Sequence, residues 1–269
     1  MKENMLIQHY LIEKVREASL NDERISAVLM YGSFIKGEGD RFSDVEFYLF
    51  YKDGADINRR EWVSSIHPID MFFTNEYGTD VAIFDNLVRG EFHFLPVSEI
   101  GIIKTWQGLT SFEYKDNMLL VDKEGHLADT LKDIPTTSPE RNTPEHIEWL
   151  AQSLINNLLF TKNVLQRGEL AHAHQLFGQV QKYLLWLIRI RCNATNHWES
   201  PTKKLEADIP QKWYDFYMES VPAPTEISMK KSLIDTFTTV WLLFQELNVS
   251  EDLQALLSKI TNDYMESPE

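Results

Sequence analysis

The chain has 269 residues, 43% of them apolar and 12% aromatic, with one cysteine, Cys192. That length holds one large or two modest domains, each with its own core, and a single cysteine excludes an internal disulfide framework or a cysteine-rich zinc site. Against 41 acidic side chains stand 26 basic ones, a net charge of −15, which disfavours nonspecific binding to nucleic acid and favours cationic partners. The N-terminal residues carry charge too early, and too short an apolar run, for a signal peptide. The longest apolar runs, such as Leu184–Ile188 and Val240–Phe244, fall far short of a membrane span. These features predict a cytoplasmic protein with neither membrane nor nucleic acid as partner.

Residues 3–20 carry Leu6, Tyr10, Ile12 and Val15 at helical spacing, closed by Asn21-Asp22. An apolar strand follows at Ile25–Tyr31, then a glycine-rich connection, then a second strand at Val45–Tyr51. Lys52-Asp53-Gly54 reads as a turn, and Arg59–Ile66 as a short helix ended before Pro68. Ile69–Thr74, Val81–Phe84 and Glu91–Leu95 read as strands, Val97–Thr105 as a helix after Pro96, and Met118–Val121 as a last short strand.

The composition changes near Ile134. Pro135, Pro139 and Pro144 punctuate a polar stretch that reads as a linker over 135–141. Thr143 is placed to cap a helix with Pro144 in its first turn, running to Leu165 and stopped at Arg167-Gly168. Helical periodicity continues through 170–191, 205–208, 211–219, 228–247 and 251–264. The predicted fold class is α+β, a mixed-sheet domain over 1–134 followed by a helical domain over 142–269.

The chemistry concentrates between the first two strands. Tyr31-Gly32-Ser33 ends the first strand, and Asp44-Val45-Glu46 opens the second. Acids at i and i+2 of a strand leave the same face, with Cα atoms about 7 Å apart. Carboxylates so placed suit hard divalent cations, and acids in so apolar a strand need compensation for burial. Gly32 allows close backbone approach to a phosphate, the free amides and the Ser33 hydroxyl can donate to it, and Lys36 and Ser43 stand nearby. A Gly-Ser pair alone is an ordinary turn; the acids on the next strand give it another meaning. Further on, Glu91, His93 and Leu95 share one strand face. His93 suits either a pocket wall or packing on the sheet. His172 and His174, two apart on a helix, do not face one another and make a poor metal pair. Trp186, Trp198, Trp213 and Trp241 read as core at their helical spacing.

Gly-Ser, about ten residues, then Asp-x-Glu resembles the signature of the DNA polymerase β-like nucleotidyltransferase superfamily. The fuller run from Gly32 to Glu46 is similar to antibiotic nucleotidyltransferases, and Asn75–Leu95 is closer still to lincosamide nucleotidyltransferases of the B type, a likeness that extends through most of the chain. The resemblance implies that Gly32, Ser33, Lys36 and Ser43 hold the nucleoside triphosphate, that Asp44 and Glu46 hold two Mg²⁺ ions, and that Glu91 is the general base. It implies that Lys182, on a helix of the second domain, reaches the leaving phosphates. The implied reaction moves AMP from ATP to a hydroxyl of a lincosamide antibiotic, giving resistance, in a homodimer. The rival readings are an aminoglycoside nucleotidyltransferase and a nucleotidyltransferase-fold binding module without an antibiotic substrate.

Overall fold

A computed structural model describes residues 6–266. The expected first helix begins at residue 3, so its first three positions lie outside the described residues. The chain divides between Pro139 and Glu140, inside the proline-rich stretch, into two compact units.

The first unit is built on a six-stranded mixed sheet. Its helix α1 (Ile7–Asn21) precedes β1 (Ile25–Tyr31) and β2 (Val45–Tyr51); α2 (Arg59–Ser64) leads to β3 (Ile69–Thr74), β4 (Asp80–Phe84) and β5 (Arg89–Pro96). After a 3₁₀ segment (Val97–Trp106) come α3 (Lys115–Met118), β6 (Leu119–Asp122) and α4 (His126–Lys132). The strand order is β3-β4-β5-β2-β1-β6, with β2 and β5 parallel and every other pair antiparallel.

Alternation along the strands assigns the two faces of this sheet different fates. Val45, Phe47 and Leu49 of β2 and Phe92 and Phe94 of β5 point to the face covered by Leu11 and Val15 of α1 and Trp62 and Val63 of α2. On the opposite face, Leu29 and Phe50 pack with Ile103 of the 3₁₀ segment and Leu127 and Leu131 of α4. That cover is centred on the β1–β6 side and leaves the ends of β2 and β5 that carry Asp44, Glu46 and Glu91 only partly buried.

Three elements differ from expectation: the short α3 was not foreseen, and it takes in Met118, which was expected in the last strand. Val97–Trp106 is 3₁₀ rather than α; Gly101 and the β-branched Ile100, Ile102, Ile103 and Thr105 are all weak α-formers. Helix α4 was not foreseen. It is only seven residues long, and its first turn is held from outside by Asp122, whose carboxylate accepts from the Gly125 amide at 2.9 Å and the Ala128 amide at 2.8 Å.

The second unit is helical: α5 (Pro144–Gln166), α6 (Leu170–Arg191), α7 (Leu205–Asp208), α8 (Gln211–Glu219), α9 (Glu226–Glu246) and α10 (Glu251–Glu266). Thr143 caps α5 by accepting from the His146 amide at 3.2 Å. Thr225 caps α9 through the Ser228 amide at 3.3 Å, which starts that helix two residues before the expected Ser228. Leu150, Leu154 and Leu158 of α5 meet Phe177, Leu184 and Ile188 of α6 and Leu233, Phe237 and Phe244 of α9 in one core. Trp213 belongs to that core and Trp186 and Trp198 pack against it. Trp241, expected in the core, is 48% exposed, because it lies on the flank of the Leu233, Phe237, Val240 and Phe244 stripe.

Arg189 is the largest fully buried side chain. Its Nε donates to the Pro201 carbonyl at 2.6 Å, Nη1 to the Ala194 carbonyl at 2.7 Å and Asp208 at 2.9 Å, and Nη2 to the Lys203 carbonyl at 2.8 Å. Asp208 also meets His197 Nδ1 at 2.6 Å. These bonds tie the irregular segment after α6 back onto that helix. Burial pushes the Asp208 carboxyl up, but Arg189 and His197 outweigh it and hold the group below the usual carboxylate range.

Candidate active site

The parallel pairing of β2 with β5 sets Glu46 directly opposite Glu91 and Val45 opposite Gly90. Asp44 and Glu46 therefore share a face with Arg89, Glu91 and His93, while antiparallel β1 brings Tyr31 opposite Glu46 from the other side. Three carboxylates share this face with one guanidinium, leaving a net negative charge.

Two glycines permit this packing. Gly32 has φ +83°, and a Cβ there would fall 1.5 Å from Glu46 Oε2, so any side chain would collide with the carboxylate and strain the backbone. On the core side, a Cβ on Gly90 would lie 2.7 Å from the Phe92 ring and 3.1 Å from the Phe84 ring. That absence of a side chain lets Arg89 and Glu91 flank Gly90 on the open face without disturbing the core.

Both oxygens of Glu91 are engaged. Arg89 bridges the two strands, with Nη1 on Asp44 Oδ2 at 2.7 Å and Nη2 on Glu91 Oε1. Tyr31 donates its hydroxyl to Glu91 Oε2 at 3.0 Å, and the tyrosine oxygen lies 3.1 Å from His93 Nε2. A tyrosine hydroxyl has one proton, so while it donates to the carboxylate, His93 must present Nε2–H to the tyrosine oxygen. His93 is held flat against Tyr48, with centroids 4.0 Å apart and planes 4° from parallel, and Trp106 backs Tyr48 at 4.8 Å.

The electrostatics follow from burial beside negative charge. Burial raises the Tyr31 hydroxyl far above its ordinary value, and the charges of Glu91 and Glu46 add to it, so Tyr31 remains a proton donor. Burial lowers His93, opposed by the charges of Glu91 and Asp80, and favours the neutral ring. Burial alone would lower Arg89, but the hydrogen bond and charge of Glu91, with Asp44, raise it.

The glycine-rich connection forms successive turns: the Lys36 and Glu38 amides donate to the Ser33 carbonyl at 3.2 and 3.0 Å. The Ser33 hydroxyl is shut off from solvent and has no hydrogen-bond partner, a costly state for a buried polar group. Ser43 is already occupied: its hydroxyl donates to Asp40 at 3.1 Å and accepts from the Asp40 amide at 3.0 Å. Gln8 of α1, fully buried, donates to the Ser43 carbonyl at 3.0 Å and pins the entry to Asp44. Lys182, on α6 of the second unit, has its ammonium 4.9 Å from the centre of the Trp186 ring.

Tyr31, Arg89 and Gln8 were not singled out by the sequence. Arg89 stands two residues from Glu91 on one strand face, and Tyr31 directly precedes Gly32, which is the available signal; Gln8 looks like an ordinary helix residue. Among the described residues no three His, Cys, Asp or Glu side chains gather closely enough for a protein-only metal cage. The oxygen donors of Asp44 and Glu46, beside an unpartnered hydroxyl on a glycine turn, nevertheless fit Mg²⁺, which takes one or two carboxylates together with phosphate oxygens and water.

Residues 143–265 match the family model described as lincosamide nucleotidyltransferase-like, C-terminal domain. None of the curated proteins compared with the chain matches it. Among solved structures, an aminoglycoside 6-adenyltransferase from Bacillus subtilis aligns over 97% of this chain and 98% of its own at 16% identity, with a TM-score of 0.44. A nucleotidyltransferase-like protein from Exiguobacterium sibiricum aligns over 96% of this chain and 91% of its own at 12% identity, with a TM-score of 0.34.

Proposed function

We propose that this chain, whose residues 143–265 match the lincosamide nucleotidyltransferase-like C-terminal domain, transfers AMP from ATP to a hydroxyl of a lincosamide antibiotic. The observation that carries this reading is the set of Asp44, Glu46 and Glu91 on one face of β2 and β5, beside the unpartnered Ser33 hydroxyl. The Gly32 turn and Ser33 would orient the triphosphate, with Lys36 and Ser43 at its edge. Asp44 and Glu46 are the residues that would hold Mg²⁺. Two such ions, when bound, neutralise phosphate charge and polarise the α-phosphate.

Glu91 would accept the proton of the attacking hydroxyl. The new bond forms between that oxygen and the α-phosphorus as the bond to the β-phosphate breaks, and pyrophosphate leaves. Tyr31 and Arg89, one on each oxygen of Glu91, fix the orientation of the base. Lys182 would meet the departing phosphates by the family's pattern, and the chain would act as a homodimer. No described helix is long and apolar enough to cross a membrane.

The acidic balance of −15 suits the protonated amine of a lincosamide and the several amines of an aminoglycoside, so the test must include both. The purified chain with Mg²⁺ and each nucleoside triphosphate is offered lincomycin, clindamycin and kanamycin. Pyrophosphate release and the mass of the acceptor are followed. The expected result is ATP-dependent release with a lincosamide that gains one AMP. Release with kanamycin alone moves the acceptor to the aminoglycosides, and no release with any acceptor overturns the enzymatic reading.

A further inference from the structure

We propose that Arg89 is a counter-ion built into the carboxylate site, displaced from Asp44 when a divalent cation enters and turned onto the α-phosphate of the nucleotide. This rests on the reading of Asp44 and Glu46 as the cation-holding pair and Glu91 as the base.

The geometry is specific. Each terminal nitrogen of Arg89 takes a different carboxylate, one from β2 and one from β5. The guanidinium thus stands between the acid that would hold the cation and the acid that would take the hydroxyl proton. A reacting α-phosphate must come within reach of both, so Arg89 occupies the approach to the ground where phosphate oxygens would lie. Its side chain is 41% exposed, and its guanidinium hydrogen-bonds to these two carboxylates. On β4 its register neighbour is Ile83, and Val81 stands opposite Glu91, so that side offers no competing anion.

A guanidinium does not lose its charge to escape a competitor. When a divalent cation takes Asp44, the freed nitrogen needs another anion, and a phosphate oxygen accepts the same fork of donors that a carboxylate does. Nη2 on Glu91 would keep the fork aimed during the exchange. Placed so, Arg89 would stabilise the charge that develops on the phosphoryl oxygens, the role electrostatic donors fill in phosphoryl transfer. It would also screen the carboxylates from one another while no cation is bound.

The full-length chain and its Arg89→Met and Arg89→Lys variants are titrated with Mn²⁺ without nucleotide, free Mn²⁺ being read by electron paramagnetic resonance. Turnover with ATP and the acceptor is then measured. Removing the competing charge should tighten Mn²⁺ binding in Arg89→Met about fivefold, while kcat falls about 10²- to 10³-fold. Arg89→Lys, which keeps the charge and loses the fork, should bind Mn²⁺ like the wild type and still lose kcat. Weaker or unchanged Mn²⁺ binding in a folded Arg89→Met would overturn the counter-ion role. Unchanged kcat would overturn the phosphate contact. Asp44→Asn separates this inference from its premise: equal Mn²⁺ binding in that variant and the wild type would remove the cation-holding role itself, whatever Arg89 does.

Discussion

Two arginines meet carboxylates in this protein, and they are built to opposite ends. Arg189 is fully buried and spends its donors on three backbone carbonyls and Asp208. Arg89 is 41% exposed and bonds two carboxylates on neighbouring strands. The first network is buried: four of the five N–H donors of Arg189 have fixed partners, and together they pin a segment of chain. The second is held together by charges that a cation or a phosphate would exchange under the proposed function, and the Ser33 hydroxyl on the nearby glycine turn has no partner. Buried, fixed partners mark a structural arginine, and exposed carboxylate partners mark a candidate for work.

Substitutions should separate the two networks. The largest effect is expected at Glu91. Glu91→Gln keeps the shape and removes the proposed base, so turnover should fall about 10²- to 10⁴-fold while the melting temperature stays close to wild type; near-normal turnover would take Glu91 out of the mechanism. Arg189→Met should do the converse. It takes the guanidinium away from three backbone carbonyls and leaves Asp208 with His197 alone, and the expected loss is about 3–5 kcal/mol of stability, read by urea unfolding. If it proves neutral, the network is not the clamp described.

Gly32→Ala tests the border between structure and chemistry. The added carbon would press on Glu46 Oε2, 1.5 Å away, at a positive φ. Nucleotide binding and turnover should fall together, with a stability loss of about 1–3 kcal/mol. A wild-type melting curve with full activity would show that the loop does not hold Glu46 as drawn.

Smaller still is a difference under acid. His93 lies below its ordinary value of 6.5 when folded, chiefly through burial. The unfolded chain therefore binds that proton first, and the His93 contribution to stability is present above pH 6.5 and lost as pH falls through the lower folded value. Asp208 is held below its ordinary 3.8, so its contribution is present above that pH and lost only under stronger acid. Urea midpoints across pH should show the His93 loss first, and His93→Gln should flatten that region alone. A curve unchanged by His93→Gln would remove the assignment.

Much of this frame is readable in the residues. The bounds of β1, β2 and β3 coincide with those expected, because each is a dense apolar run between turn residues. The caps at Thr143 and Thr225 carry chemistry that declares itself locally, whereas α4 depends on Asp122 reaching in from the preceding strand and is invisible to a local pattern. The acids Asp44, Glu46 and Glu91 stand out as polar residues in apolar strands. Their pairing does not, because Glu46 and Glu91 become neighbours only through a parallel register that passes over β3 and β4. The same distance hides Arg89, whose partner Asp44 is 45 positions away. Tyr31 is hidden for another reason: at the end of an apolar strand it looks like core, and only the cross-strand register shows its hydroxyl reaching Glu91.

The central claim is that the face carrying Asp44, Glu46 and Glu91 is where a nucleotide is bound and cleaved. A crystal structure of the chain with Mg²⁺ and a nonhydrolysable ATP analogue tests it most directly. The account predicts phosphates against the Gly32-Ser33 turn, a cation on Asp44 and Glu46, and Glu91 facing the α-phosphorus. A nucleotide bound elsewhere, with these three carboxylates untouched, would contradict it.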